Sequence, residues 1–245
     1  MHGAVEKRQA ETCGGSEGAL KGLCNGGGAV LSRVRPRPSW RCLQAVQGWR
    51  SVHRMSAALA LPLEPRRRPL TVWDVYRMVG AGILDEDART ELIEGELIDM
   101  PPIGAPHGGI VNTLNMRFVL ATVGKAVVAV QNSLRLSDIS LPQPDVAVLK
   151  PHGSNYASRL PTPEDVLLVV EVSDSTLGYD RGRKLPLYAR HGIPEVWIVD
   201  VAGQRVSRHS QPDANGYALE ERLGDSATPL QLPDCVIPLA ELFNR

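Results

Sequence analysis

The chain has 245 residues, with 27 Lys and Arg against 27 Asp and Glu, so its formal net charge of zero gives no global bias toward polyanions. That balance hides a division: residues 1–54 carry nine Lys/Arg and three Asp/Glu, a net of +6, and residues 55–245 carry 18 against 24, a net of −6. No window approaches the roughly 18 uncharged apolar residues of a membrane span, and the composition excludes collagen-like and coiled-coil chains.

Residues 1–54 hold nine of the 23 glycines and only scattered apolar residues, too few to offset the entropy of ordering them. They are expected to form a disordered, basic, glycine-rich leader, and three origins stand open. The leader is a transit-like segment, a basic arm for nucleic acid, or sequence upstream of a true start at Met55. It lacks the apolar run that follows the basic start of a secretory signal. Cys13, Cys24, Cys42 and Cys235 show no Cys-x-x-Cys and no His at zinc-finger spacing. They read as free thiols of a reducing compartment, here the cytoplasm. Residues 55–245 suffice for one core, or at most two small ones; within them 55–69 are expected to be a linker and 70–245 the folded domain.

Val72, Val75, Tyr76 and Val79 follow Thr71 at helical spacing, which predicts a short amphipathic helix with a threonine cap. Glu91-Leu-Ile-Glu-Gly-Glu-Leu-Ile-Asp-Met100 has apolar pairs on either side of Glu94-Gly95 and predicts a tight hairpin, ended by Pro101-Pro102. From His107, the residues Ile110, Val111, Leu114, Phe118 and Ala121 recur at helical intervals and predict the main helix, closing near Gly124. Four strands are then expected at 126–131, 134–136, 145–149 and 166–172, the last apolar without alternation and therefore central. Tyr179 to His191 reads as a helix with Pro186 in its first turn or at a kink. Glu195–Asp200 reads as a second buried strand, and Val201–Leu223 as a meander of edge strands. This order predicts an α/β (α+β) fold: a mixed sheet flanked by helices, with a C-terminal β-meander.

Two acids stand out against this background. Asp145 heads an apolar strand, and Glu171 interrupts the most apolar strand of the chain. A buried carboxylate costs several kcal/mol unless it meets a cation or hydrogen-bond donors. One reason for it is a divalent metal: two carboxylates from neighbouring strands, with a carbonyl such as that of Val172, make an all-oxygen site suited to Mg2+ or Mn2+. Lys184 lies 13 positions past Glu171, where it can turn back and stabilise charge on an attacking water or a phosphoryl oxygen. The bland alternatives are a strand-entry cap for Asp145, an arginine ion pair for Glu171 and a surface pair with Asp180 for Lys184.

Glu91-Leu-Ile-Glu-Gly-Glu-Leu97, His107, Gln143-Pro-Asp-Val-Ala-Val148, Val170-Glu-Val-Ser-Asp-Ser-Thr176, Tyr179-Asp-Arg-Gly-Arg-Lys-Leu185, Tyr188-Ala-Arg-His-Gly192 and Pro194-Glu-Val-Trp-Ile-Val-Asp200 together resemble the Uma-two family of the restriction-endonuclease-like PD-(D/E)xK superfamily, which is abundant in bacteria. The likeness spans roughly residues 70–244. It implies a restriction-endonuclease-like fold and Mg2+- or Mn2+-dependent hydrolysis of DNA. Asp145 matches the acid of the PD step and Glu171 that of the (D/E)xK step, as metal ligands, with the Val172 carbonyl as a third. The superfamily lysine would stand at Ser173; Lys184 matches the place to which that lysine migrates in some branches. Glu91 resembles the upstream acid of the metal site, with Glu94 its competitor, and His107 the histidine that opens the first core helix.

Arg181 and Arg183, beside Lys184, are expected to lower its pKa and Asp180 to raise it. With Arg190 they offer a local patch for phosphates on a core of net charge −6; their bland reading is a solvated helix face. The leading expectation is an endonuclease acting on DNA as a homodimer, since double-strand cleavage by one-site subunits takes two copies. The alternative is an inactive nuclease fold that binds nucleic acid or a protein partner. A serine hydrolase through Ser173 or Ser175 lacks its Gly-x-Ser-x-Gly elbow. A nucleotide cofactor has no Gly-Lys-Ser/Thr loop to hold it.

Overall fold

The computed structural model describes residues 66–243; the expected leader, its three cysteines, Met55 and most of the expected linker lie outside the described residues. Thr71 accepts the Asp74 amide at 3.1 Å while the Asp74 carboxylate accepts the Thr71 amide at 3.0 Å, and this reciprocal cap starts helix α1 (Val72–Gly80). Strands β1 (Thr90–Ile93) and β2 (Glu96–Asp99) pair antiparallel about Glu94-Gly95. Both turn residues have positive φ, 51° and 83°, the hand that matches strand twist in a two-residue hairpin. A methyl group on Gly95 would drive into Pro69. Gly95→Ala should therefore destabilise the fold by about 1–3 kcal/mol, read as a lower urea midpoint at unchanged slope; an unmoved midpoint would show that the turn yields without cost.

Helix α2 (Ala105–Thr122) carries Pro106 in its first turn, buries Ile110, Val111, Leu114 and Phe118, and is followed by Gly124 at φ 70°. The main sheet has six strands in the order β3 (Val127–Val130), β4 (Val146–Leu149), β5 (Val166–Ser173), β6 (Glu195–Asp200), β7 (Arg205–Pro212) and β8 (Tyr217–Arg222). β5 and β6 run parallel and the other neighbours antiparallel. The parallel pair needs a crossover. It is made by α3 (Leu177–Tyr179), a wide π turn (Asp180–Lys184) and α4 (Leu185–Arg190), with Pro186 in the first turn of α4.

All eight residues of β5 and all six of β6 are buried, because both faces of the sheet are covered. On one face α2 packs against Val146, Val148, Val170, Val172 and Trp197. On the other, Leu187 and Tyr188 of α4 meet Ala147, Leu149, Val169, Val196 and Ile198. Short strands β9 (Ser226–Ala227) and β10 (Ile237–Pro238) and helix α5 (Ala240–Phe243) close the α2 side. Among the described residues no helix is long and apolar enough to cross a membrane.

Two expected elements differ. Residues 134–136 form no strand: their amides donate to the carbonyls of Pro142, Pro161 and Ser140, and the two prolines have no N–H to return. The meander joins the main sheet instead of forming edges. β7 lies between β6 and β8, with Ser207, His209 and Ser210 buried; β8 alone of the two is an edge strand.

Candidate active site

The pleat and the hairpin bring the acids together. Glu171 has the parity of Val169 and points to the α4 side, while Asp145, the residue immediately before β4, reaches the Val172 amide of β5 and His107 of α2 from the end of the strand. On β1, Leu92 packs toward α1, in the cluster of Val72 and Leu141, and Ile93 faces the sheet core. Glu91 therefore turns inward with Ile93, and its Oε1 accepts the Gln143 amide at 2.9 Å. The π turn aims Asp180 and Lys184 inward, and both are 2 % exposed. Such wide turns are frequent at functional sites, because they rotate one side chain out of helical phase.

Four carboxylates and one lysine result. Glu91, Glu171 and Asp180 are each 2 % exposed and Asp145 7 %. The Lys184 ammonium lies 2.9 Å from Glu91 Oε1 and 3.1 Å from Glu171 Oε1. The Tyr188 hydroxyl donates to the same Glu171 oxygen at 2.6 Å. Asp145 Oδ2 accepts the Val172 amide at 2.8 Å, and its Oδ1 meets His107 Nε2 at 3.1 Å and the Gln131 side-chain amide at 3.2 Å. Asp180 accepts the hydroxyls of Ser173 and Thr176 at 2.7 and 2.6 Å. Glu91 Oε2 and His107 Nδ1 are buried without a partner among the described residues.

The electrostatics follow from this crowding. Burial pushes the Glu171 carboxyl well above the ordinary range, and Asp180, Asp145 and Glu91 add to it against the pull of Lys184. Burial also acts to raise Asp145, but the His107 hydrogen bond and charge, the Val172 amide and Lys184 outweigh it, and its carboxyl lies below the usual value. Burial would lower the Lys184 ammonium; Glu171, Glu91 and Asp180 reverse that and hold it above the usual lysine range. The depression expected from Arg181 and Arg183 is thus absent, because their guanidinium groups point away, to Ser207 and Glu220 and to Glu96.

A cavity of about 60 Å³ opens on this cluster, lined by Glu91, His107, Gln143, Asp145, Glu171, Val172, Asp180 and Lys184 and walled by Met100–Gly104 and Asp174–Thr176. Among the described residues no three His, Cys, Asp or Glu side chains already converge as a complete metal cage. What faces the cavity is an open set: two carboxylates from adjacent strands, hard oxygen donors, with more buried negative charge than Lys184 offsets. That set fits a magnesium-like ion, which keeps several waters and takes one or two carboxylates.

The expected residues divide into two groups. Glu91, His107, Asp145, Glu171, Val172 and Lys184 share the cavity. Glu94, the competitor of Glu91, sits at the hairpin tip and pairs with Arg190 at 2.8 Å. Arg181, Arg183 and Arg190 lie outside the cavity wall, each paired with a partly exposed glutamate. Ser173 spends its hydroxyl on Asp180. Sequence reasoning missed Tyr188, Asp180 as a buried member of the cluster, and Gln131. Tyr188 carried a signal, since it stands four residues after Lys184, the spacing of one helix face. Gln131 carried none beyond its place at a strand end.

Comparison with known proteins gives a consistent picture. The family model Uma2, described as "Putative restriction endonuclease", matches residues 74–240. A crystal structure of "a putative nuclease belonging to DUF820" from Anabaena variabilis is similar, with a TM-score of 0.57 and 17 % identity over 71 % of this chain and 98 % of that one. At that identity the likeness speaks for the fold. No curated protein matches the chain.

Proposed function

Because the chain belongs to the Uma2 family, we propose that it is a metal-dependent endonuclease hydrolysing phosphodiester bonds in DNA, with Asp145 and Glu171 holding Mg2+ or Mn2+. The observation that carries this reading is the cavity in which four buried carboxylates face a single lysine. Buried charge of one sign is costly in the absence of a compensating cation.

When bound, such an ion supplies Lewis acidity toward the phosphoryl oxygens and lowers the pKa of a water at its surface. The chain's residues do the rest. His107, the Val172 amide and Gln131 fix the Asp145 carboxylate. Lys184 and Tyr188 fix Glu171 through one oxygen and leave the other for the ion. The Val172 carbonyl belongs to a residue of the same wall and is the third ligand in this reading; Glu91, with a buried oxygen to spare, completes the negative rim. Lys184 stays protonated at neutral pH, so it serves as a fixed positive charge for a water or a phosphoryl oxygen and does not take up the proton.

Arg181, Arg183 and Arg190 supply phosphate contacts outside the cavity. Their pairings with exposed glutamates are worth only about 0–1 kcal/mol, so a phosphate can replace the partner. Double-strand cleavage then requires two copies of the chain, a homodimer, and the buried free thiol of Cys235 suits the reducing cytoplasm.

The test is incubation of the full chain with supercoiled, linear, branched and single-stranded DNA in Mg2+, Mn2+ or EDTA, beside Asp145→Ala. Nicking that needs metal and Asp145 is expected. No cleavage of any substrate, together with no metal uptake by calorimetry, would leave an inactive nuclease fold as the better reading.

A further inference from the structure

Gln131 is the first residue past β3, and its φ is 53°, the left-handed region that β-carbon sterics disfavour for every residue but glycine. A glycine would adopt it freely, and the chain already places glycine at similar angles, Gly124 at 70° and Gly192 at 72°. Six described non-glycine residues have a positive φ, and Gln131 is the one among them whose side chain meets a carboxylate of the cavity. The register Val130↔Val146 puts Gln131 opposite Asp145, its backbone amide donates to the Asp145 carbonyl at 3.2 Å, and its side-chain amide donates to Asp145 Oδ1, also at 3.2 Å.

The left-handed turn therefore ends β3 and bends the side chain back to the catalytic acid in one step. Asp145 has three donors: His107 from α2, Val172 from β5 and Gln131 from β3. Two of them meet on Oδ1 and one on Oδ2, which leaves little freedom for the carboxylate to rotate about its last bond. We propose that Gln131 is a positioning residue, held in a strained backbone conformation so that its amide sets the orientation of Asp145 for metal binding. This inference rests on the metal-site reading above. Gln131 contacts Asp145 and acts through it.

The variants that separate strain from function are Gln131→Gly, which relieves the backbone and removes the amide, and Gln131→Glu, which keeps the length and exchanges a donor for a second carboxylate. Metal-free melting and Mn2+ titration by calorimetry are the readouts, with DNA cleavage beside them. For Gln131→Gly the expected result is a melting temperature at or above that of the unmodified chain and a loss of Mn2+ affinity of about 10- to 100-fold, the size seen when a partner of a metal ligand is removed. Gln131→Glu should lose at least as much affinity, because the added acceptor repels Asp145. Three outcomes overturn the inference. If Gln131→Gly binds Mn2+ as tightly as the unmodified chain, the amide positions nothing. If it melts lower, the glutamine is structural. If the unmodified chain takes up no Mn2+ at all, the metal-site reading falls first and this one with it.

Discussion

Replacing Lys184 by methionine is expected to lower the stability of the metal-free protein by about 3–5 kcal/mol, the cost of removing one partner from a buried ion pair. At roughly 2–4 °C per kcal/mol for a chain of this size, the melting temperature should fall by about 6–20 °C. The reason lies in what remains. Methionine fills the lysine's volume, but Glu91 and Glu171, each 2 % exposed, lose the ammonium at 2.9 and 3.1 Å. Two further measurements test that origin. Mn2+ should restore part of the lost melting temperature, because it offsets the same carboxylates, and the double variant Lys184→Met with Glu171→Gln should melt above Lys184→Met alone. A Lys184→Met protein as stable as the unmodified chain would show that the lysine does not hold these carboxylates.

Glu171→Gln is expected to behave in the opposite way for stability. Its Oε1 can still accept from Tyr188 and Lys184, so the packing survives, while the unfavourable charge is gone. The sign follows from the raised carboxyl. In the unfolded chain a glutamate titrates at about 4.3; in the folded chain this one holds its proton to higher pH. The folded state thus binds more protons between the two values, and its stability falls as pH rises through that window. Glu171→Gln should flatten the decline and melt at or above the unmodified protein at neutral pH. The same substitution removes a carboxylate from the cavity wall; on the proposed reading Mn2+ uptake should be lost and cleavage should fall by about 10²- to 10³-fold or more, the cost of removing one preorganised electrostatic group. Gain of stability with loss of function is the pattern expected of a functional site that carries strain. A variant that still binds Mn2+ at undiminished affinity would remove Glu171 from the site.

Much of this protein is legible before any coordinates. The apolar period marks α2 from Ile110 to Phe118, the turn residues Glu94-Gly95 mark the hairpin, and unbroken apolar runs mark β5 and β6 as central. Those are local properties, set by backbone sterics and by which side chains prefer to leave water. The triple of Asp145, Glu171 and Lys184 is legible too, because a charge inside an apolar strand is too costly to be incidental.

What only the tertiary structure decides depends on distance through space. Glu91 and Glu94 are equivalent as a string, yet the pleat turns Glu91 into the cavity and the hairpin tip leaves Glu94 beside Arg190. The sequence neighbours of Lys184 are the cations Arg181 and Arg183, which weaken an ammonium, and the acid Asp180, which strengthens it. The wide turn sends the two arginines outward and brings Glu171 and Glu91, 13 and 93 positions away, to within 3.1 Å. Coulomb energy follows separation in space, not along the chain, so the sign of the shift at Lys184 could not be read from its neighbours. Gln131 and Tyr188 belong to the same class. Each is unremarkable in its own segment and acquires a role only when the register of β3 on β4, or the packing of α4 on β5, sets it against a buried acid.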